Sequence, residues 1–142
     1  METAGAVPAD ARLLGNGRVT ARDIYGLDLR AEMVVLGACQ SGGGPVTGEG
    51  LSALVRAFFY AGTRSIVASV WDVPDETSSR ILPAFYAGWL RQGQRAESLR
   101  AAQLQMLADL RAGKVKVRTR AGELSLPEHP ALWAGFILLG EG

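Results

Sequence analysis

A layered α/β fold is predicted by three features of this 142-residue chain. Two apolar runs, Met33-Val34-Val35-Leu36-Gly37-Ala38-Cys39 and Ile66-Val67-Ala68-Ser69-Val70-Trp71, lack the alternation of half-buried strands. Runs of that kind read as strands covered on both faces, as in parallel sheets. Helical periodicity follows each of them, and a third apolar run, Phe136-Ile137-Leu138-Leu139, comes near the end. Residues 33–39, 65–71 and 136–140 are therefore expected to be adjacent core strands of a mainly parallel central sheet flanked by helices, about three core strands in addition to a β-hairpin. The first two are expected to be parallel and joined by a right-handed crossover.

The elements follow in order. Residues 1–15 have no periodicity and are expected to be a flexible leader. Thr20-Ala21-Arg22-Asp23 resembles a capping box with Asp in place of Glu, which predicts a short helix over residues 21–25. Residues 40–50 are glycine-rich and read as a loop. Leu51, Leu54, Val55, Phe58 and Phe59 then recur at three- and four-residue steps, the mark of an amphipathic helix, and Gly62 stands where its C-terminal cap belongs.

After the second strand, Asp72 or Asp75 is positioned to cap a helix whose apolar pattern is Ser78, Leu82, Phe85 and Trp89. Pro83 inside that pattern predicts a kink or a late start. A third helix is expected over residues 95–111, with Leu99, Ala102, Met106 and Leu110 on one face. The period then changes to two: Val115, Val117 and Thr119 alternate with Lys114, Lys116, Arg118 and Arg120. With Ala121-Gly122 as the turn and Leu124 and Leu126 beyond, this predicts a surface β-hairpin.

Composition narrows the function classes. Hydrophobic residues make up 48% and charged residues 20%, the balance of an ordinary globular domain. Fifteen basic against fourteen acidic residues leave a net charge of +1, so neither nucleic acid nor an anionic membrane is expected as the main partner. No apolar run approaches the roughly 18 residues of a membrane span, and residues 1–10 lack the features of a secretory signal. A cytoplasmic location is the expectation. One cysteine and one histidine exclude an internal disulfide and any ordinary zinc site within the chain. No metal is expected.

Chemistry concentrates at Cys39. It ends a buried strand and precedes a glycine-rich turn and a helix, the place where open α/β sheets bind ligands. Backbone N–H groups and a helix N-terminus nearby favour a thiolate. Read by position alone, a single cysteine at a strand end is most often a small buried hydrophobe.

Longer motifs decide between those readings. Leu36-Gly37-Ala38-Cys39-Gln40-Ser41-Gly42 resembles the nucleophile motif of CHAT domains, caspase-like cysteine-peptidase modules often attached to TPR repeats. The likeness continues through Gly48-Glu49-Gly50-Leu51 and the stretch from Ala57 to Trp71. It resumes at Phe85-Tyr86, Ser98-Leu99-Arg100-Ala101-Ala102-Gln103, His129-Pro130 and Trp133-Ala134-Gly135-Phe136. Gly17-Arg18-Val19-Thr20-Ala21-Arg22-Asp23-Ile24 resembles the segment that precedes the cysteine strand in the family. The resemblance implies that residues 16–142 are the C-terminal portion of a caspase-like domain. It also implies an antiparallel third strand, Cys39 as nucleophile, a protein or peptide substrate, no cofactor, and TPR repeats as possible partners.

The chain departs from the family pattern upstream of Cys39. CHAT peptidases carry the catalytic histidine in a His-Gly motif before the cysteine strand, and no histidine precedes Cys39 here. The only histidine, His129, falls on the late His-Pro motif, which in the family is a structural approach to the last strand. Without a base the thiol has no proton acceptor and the leaving amine has no acid. An upstream segment or a partner chain is therefore expected to supply the histidine, and the chain alone is expected to be inactive. The competing reading is a non-catalytic protein-interaction module of the same fold.

Resemblance to clan relatives also implies acidic side chains near the strand ends as a pocket for a basic P1 residue. Asp72 and Glu49 are the candidates, set against simple capping or solvation. Many relatives place an acid two residues before the cysteine, where this chain has Gly37. The glycine-rich loop is no phosphate-binding loop, because Glu49 stands where a lysine is required. The Lys114–Arg120 stripe reads as a solvated edge, and Trp71, Trp89 and Trp133 as core or pocket-wall aromatics.

Overall fold

The computed structural model describes residues 19–37 and 48–142. Cys39, the expected leader over residues 1–15 and most of the expected 40–50 loop lie outside the described residues. The chain divides into two compact units, Met1–Asp72 with Leu138–Glu141, and Val73–Ile137 with Gly142.

In the first unit, α1 (Ala21–Tyr25) begins with the expected capping box. The Thr20 backbone N–H donates to Asp23 Oδ2 at 2.8 Å, and the Asp23 N–H donates to Thr20 Oγ1 at 3.4 Å. Asp is one methylene shorter than the usual Glu but still reaches. The Thr20 hydroxyl also donates to Asp23 Oδ2 at 2.6 Å, and that bond together with the one from the Thr20 backbone N–H holds the Asp23 carboxyl below the usual carboxylate range.

β1 (Met33–Leu36) leads through undescribed residues to α2 (Gly48–Tyr60). The helix thus includes Gly48, Glu49 and Gly50, which the sequence reading assigned to the loop. Glu49 lies inside α2 rather than ahead of it, so it cannot be its N-cap. At the far end, Gly62 has φ +101°. Its N–H donates to the Phe59 carbonyl and the Thr63 N–H to the Phe58 carbonyl, both at 3.1 Å. This paired closure satisfies carbonyls the helix leaves open, and the positive φ explains why glycine stands there.

β2 (Ser65–Ser69) follows at once and is buried at every position. It runs parallel to β1 in the register Met33 with Ser65, Val34 with Ile66, Val35 with Val67 and Leu36 with Ala68. One face of this pair carries Val34, Ile66 and Ala68, which pack with Ile24, Ala57, Phe58 and Ala61 from the two helices. β2 is shorter than expected: it ends at Ser69, and Val70 and Trp71 beyond it are each 39% exposed. β1 is described over Met33–Leu36, and residues 38 and 39 of its expected span lie outside the described residues. An apolar run marks residues that prefer burial and does not itself mark where pairing stops.

The third strand, here β5 (Phe136–Gly140), completes the order β1-β2-β5. Just past its end, the Glu141 N–H donates to the carbonyl of Arg64, the residue before β2. The end of β5 therefore meets the start of β2, and the two run antiparallel, as the resemblance implied. A Cβ on Gly140, at φ +94°, would collide with the Arg64 carbonyl. Leu139 packs on the same core.

The second unit begins with α3 (Asp75–Gln92). Neither Asp72 nor Asp75 caps it: the N-cap is Pro74, which makes no side-chain bond, and Asp75 is already helical. Pro74 holds a rigid φ of −56°, and the acids Asp75 and Glu76 complement the helix dipole instead. Pro83 does not delay the start of the helix, which runs through it. The ring is exposed, as is Ser79, whose carbonyl loses its intrahelical donor, so water can take that donor's place.

The buried face of α3 is Thr77, Ile81, Phe85 and Gly88. The predicted stripe of Ser78, Leu82, Phe85 and Trp89 shares only Phe85 with it. Periodicity missed the true stripe because it includes a threonine and a glycine, which carry no hydrophobic signal. Gly93, at φ +70°, ends the helix.

α4 (Arg95–Arg111) matches its expected span, and Leu99, Ala102, Met106 and Leu110 are all buried. The hairpin also forms, as β3 (Lys116–Thr119) and β4 (Gly122–Ser125), paired antiparallel with Thr119 opposite Gly122. The turn is therefore Arg120-Ala121, one residue earlier than expected. A short 3-10 turn, Pro130–Leu132, precedes β5.

Candidate functional site

The candidate site is the carboxyl edge of the β1–β2 pair. Parallel strands end on the same side, so the chain leaving β1 through Gly37 toward Cys39 departs beside the residues that leave β2. Those residues are Val70, Trp71 and Asp72. Val70 and Trp71 follow the end of β2 and are partly exposed, and Asp72 is exposed next to them. The three residues that follow the buried Ser69 thus present two large apolar side chains and one carboxylate.

The two halves of the edge differ in what the structure describes. Asp72 lies three residues beyond the end of β2 and is exposed. Cys39 lies two residues beyond the last described residue of β1's exit, outside the described residues. Glu49 is the second residue of α2, whose N-terminal end the chain reaches after Cys39. Its side chain lies outside what is described.

His129 belongs to the second unit and has a local partner. Its Nδ1 accepts the Ala131 N–H at 3.2 Å, and the residue is the N-cap of the 3-10 turn that leads to β5. Pro130 follows at the first position of that turn, where a missing N–H costs nothing. This accounts for a His-Pro pair by structure alone.

Other motif residues prove to be packing devices rather than chemistry. The Ser98 hydroxyl donates to the Gln94 carbonyl at 2.6 Å beside the α3–α4 contact, and Gln103 Nε2 donates to the Phe136 carbonyl at 2.8 Å. Among the described residues no cluster of His, Cys, Asp or Glu could hold a metal ion. No helix is long and apolar enough to cross a membrane, again among the described residues.

With that geometry in place, comparison with known proteins decides the family. The family model described as "CHAT domain" matches residues 3–141. The chain belongs to the CHAT domain family. Tetratricopeptide repeat protein 28 of Homo sapiens is 33% identical to it over 122 residues, which is 86% of this CHAT chain and 4% of the relative. The Mus musculus protein of the same name is 35% identical over the same length and shares of chain. This CHAT domain thus spans a small fraction of the curated relatives it matches. No solved structure gives a significant match.

Proposed function

We propose that this CHAT domain is the C-terminal portion of a cysteine endopeptidase domain, with Cys39 as nucleophile. The observation that carries the reading is the family match over residues 3–141, together with a parallel strand pair whose carboxyl edge the Cys39 segment leaves. A caspase-like layering of the complete domain, a cytoplasmic location and association with TPR repeats belong to the same proposal. The last of these draws on the name of the relatives.

In this reading the Cys39 thiolate attacks the scissile carbonyl carbon, and the carbonyl oxygen takes the charge, stabilised in part by the Cys39 N–H. An imidazolium protonates the leaving amine, the C–N bond breaks, and a thioester remains. Water deprotonated by the same imidazole then hydrolyses it. The imidazole comes from an upstream segment or a partner chain, since His129 is committed to its cap. Asp72, exposed at the strand edge, would receive a basic P1 side chain, with Glu49 as a second acid.

The capping role of the only histidine also favours a second reading, in which the same edge binds a protein without cutting it. One experiment separates them. Peptides with Arg or Lys at P1 are incubated with this chain, and with a longer natural protein carrying a His-Gly motif ahead of it. Each is compared with its Cys39→Ala variant. Cleavage that depends on Cys39 in the longer protein, and none in the chain alone, is the expected result. A folded longer protein that binds such peptides but leaves them intact would establish the non-catalytic reading.

A further inference from the structure

The β3–β4 hairpin has no part in the reading above, and the inference from it stands independently of Cys39. Strand alternation gives the hairpin two chemically distinct faces. Lys116 and Arg118 lie opposite Ser125 and Glu123 on one, and Val117 lies opposite Leu124 on the other. Leu124 is 58% exposed, and Val117 is only partly covered. The hairpin is secured at its base, where Val115 is fully buried and its carbonyl accepts the Leu126 N–H at 2.9 Å. Beyond that base, no third strand pairs with β3 or β4 among the described residues.

Its charge is one-sided. Residues 114–125 hold the cations Lys114, Lys116, Arg118 and Arg120 against a single acid, Glu123. Lys114 reaches Asp109 at 4.0 Å and Lys116 reaches Glu123 at 3.4 Å. Arg118 and Arg120 have no ion-pair partner among the described residues. A cationic edge discourages pairing with a second copy of itself, because like charges would face each other. The same edge favours a strand of opposite charge.

We infer that the outer edge of β3 is a docking strand for an extended acidic peptide segment. The segment adds beside Lys116–Thr119, placing carboxylates on the Lys116 and Arg118 face and apolar side chains against Val117 and Leu124. Backbone bonds along the edge hold the segment, and the alternating side chains select it.

The test uses the whole chain and a fluorescein-labelled octapeptide of alternating Glu and Val. A Lys–Val octapeptide and a single-stranded oligonucleotide of eight phosphates serve as competing probes. Anisotropy is expected to show binding of the Glu–Val peptide alone, weakened by salt. Double substitution Arg118→Glu with Arg120→Glu is expected to weaken it at least about ten-fold, with the melting temperature unchanged. Leu124→Ser, which keeps every charge, is expected to weaken it as well, and backbone amides of β3 gain protection from hydrogen exchange. Binding that survives the double substitution, or that ignores Leu124→Ser, overturns the inference. So does oligonucleotide binding at the hairpin tighter than that of the peptide, or no peptide binding at millimolar concentration.

Discussion

The Gln103 side-chain amide donates a 2.8 Å hydrogen bond to the carbonyl of Phe136, tying the middle of α4 to the first residue of β5. Phe136 is 2% exposed, so water cannot easily replace the donor. Gln103→Leu is expected to leave that acceptor unpaired and to lower stability by about 1–3 kcal/mol in urea unfolding. A loss near zero would mean that the Phe136 carbonyl finds another partner.

Gly88 and Ser98 set the closeness of α3 and α4. A Cβ on Gly88 would stand 3.1 Å from Ser98 Cβ and 3.2 Å from its Oγ. Gly88→Ala is expected to be nearly neutral, since alanine recovers about 1 kcal/mol of helix propensity against a small displacement of Ser98. Gly88→Val has no such compensation and is expected to cost about 1–3 kcal/mol by overpacking. Thermal melts of both variants check the contrast.

Phe85 is fully buried on α3, whereas Leu90, on the same helix, is 80% exposed. Phe85→Ala is expected to cost about 3–5 kcal/mol and Leu90→Ala to stay within about 0.5 kcal/mol. Equal losses would show that the buried stripe of α3 is misassigned.

Two hydrogen-bonded carboxylates make stability sensitive to acid. Glu128 is held below the ordinary carboxylate range by a 2.7 Å bond from Arg111, and Asp23 by its bonds from Thr20. A carboxyl whose folded pKa is depressed contributes stability above its unfolded value and loses it as pH falls through the folded one. Stability is therefore expected to fall from the ordinary carboxylate range downward. Glu128→Gln combined with Thr20→Ala should flatten that slope. Arg111, raised by the same pair, contributes stability that is full below its unfolded pKa and lost only far on the alkaline side. A double variant with an unchanged acid limb would refute the assignment.

His129→Asn is expected to keep the 3-10 turn, because Asn also accepts a backbone N–H at an N-cap, whereas His129→Ala should lower the melting temperature. Neither should change the rate at which iodoacetamide alkylates Cys39. A rate that drops with both variants would assign His129 a part in activating the thiol.

Much of this protein was legible in its residues. The capping box at Thr20 and Asp23, the glycine closure at Gly62, the span of α4 and the hairpin all rest on local rules acting within a few positions. The parallel pairing of β1 and β2 followed from unbroken apolar runs, and the family from ordered motifs around Cys39. Tertiary structure decided what those rules do not reach. Where β2 stops, at Ser69 with Val70 and Trp71 partly exposed beyond it, is not marked in an apolar run that continues to Trp71. The stripe through Thr77 and Gly88 and the bond from Gln103 to Phe136 depend on residues distant in sequence. Small and polar side chains carry little local signal, and their roles emerge only where two elements meet.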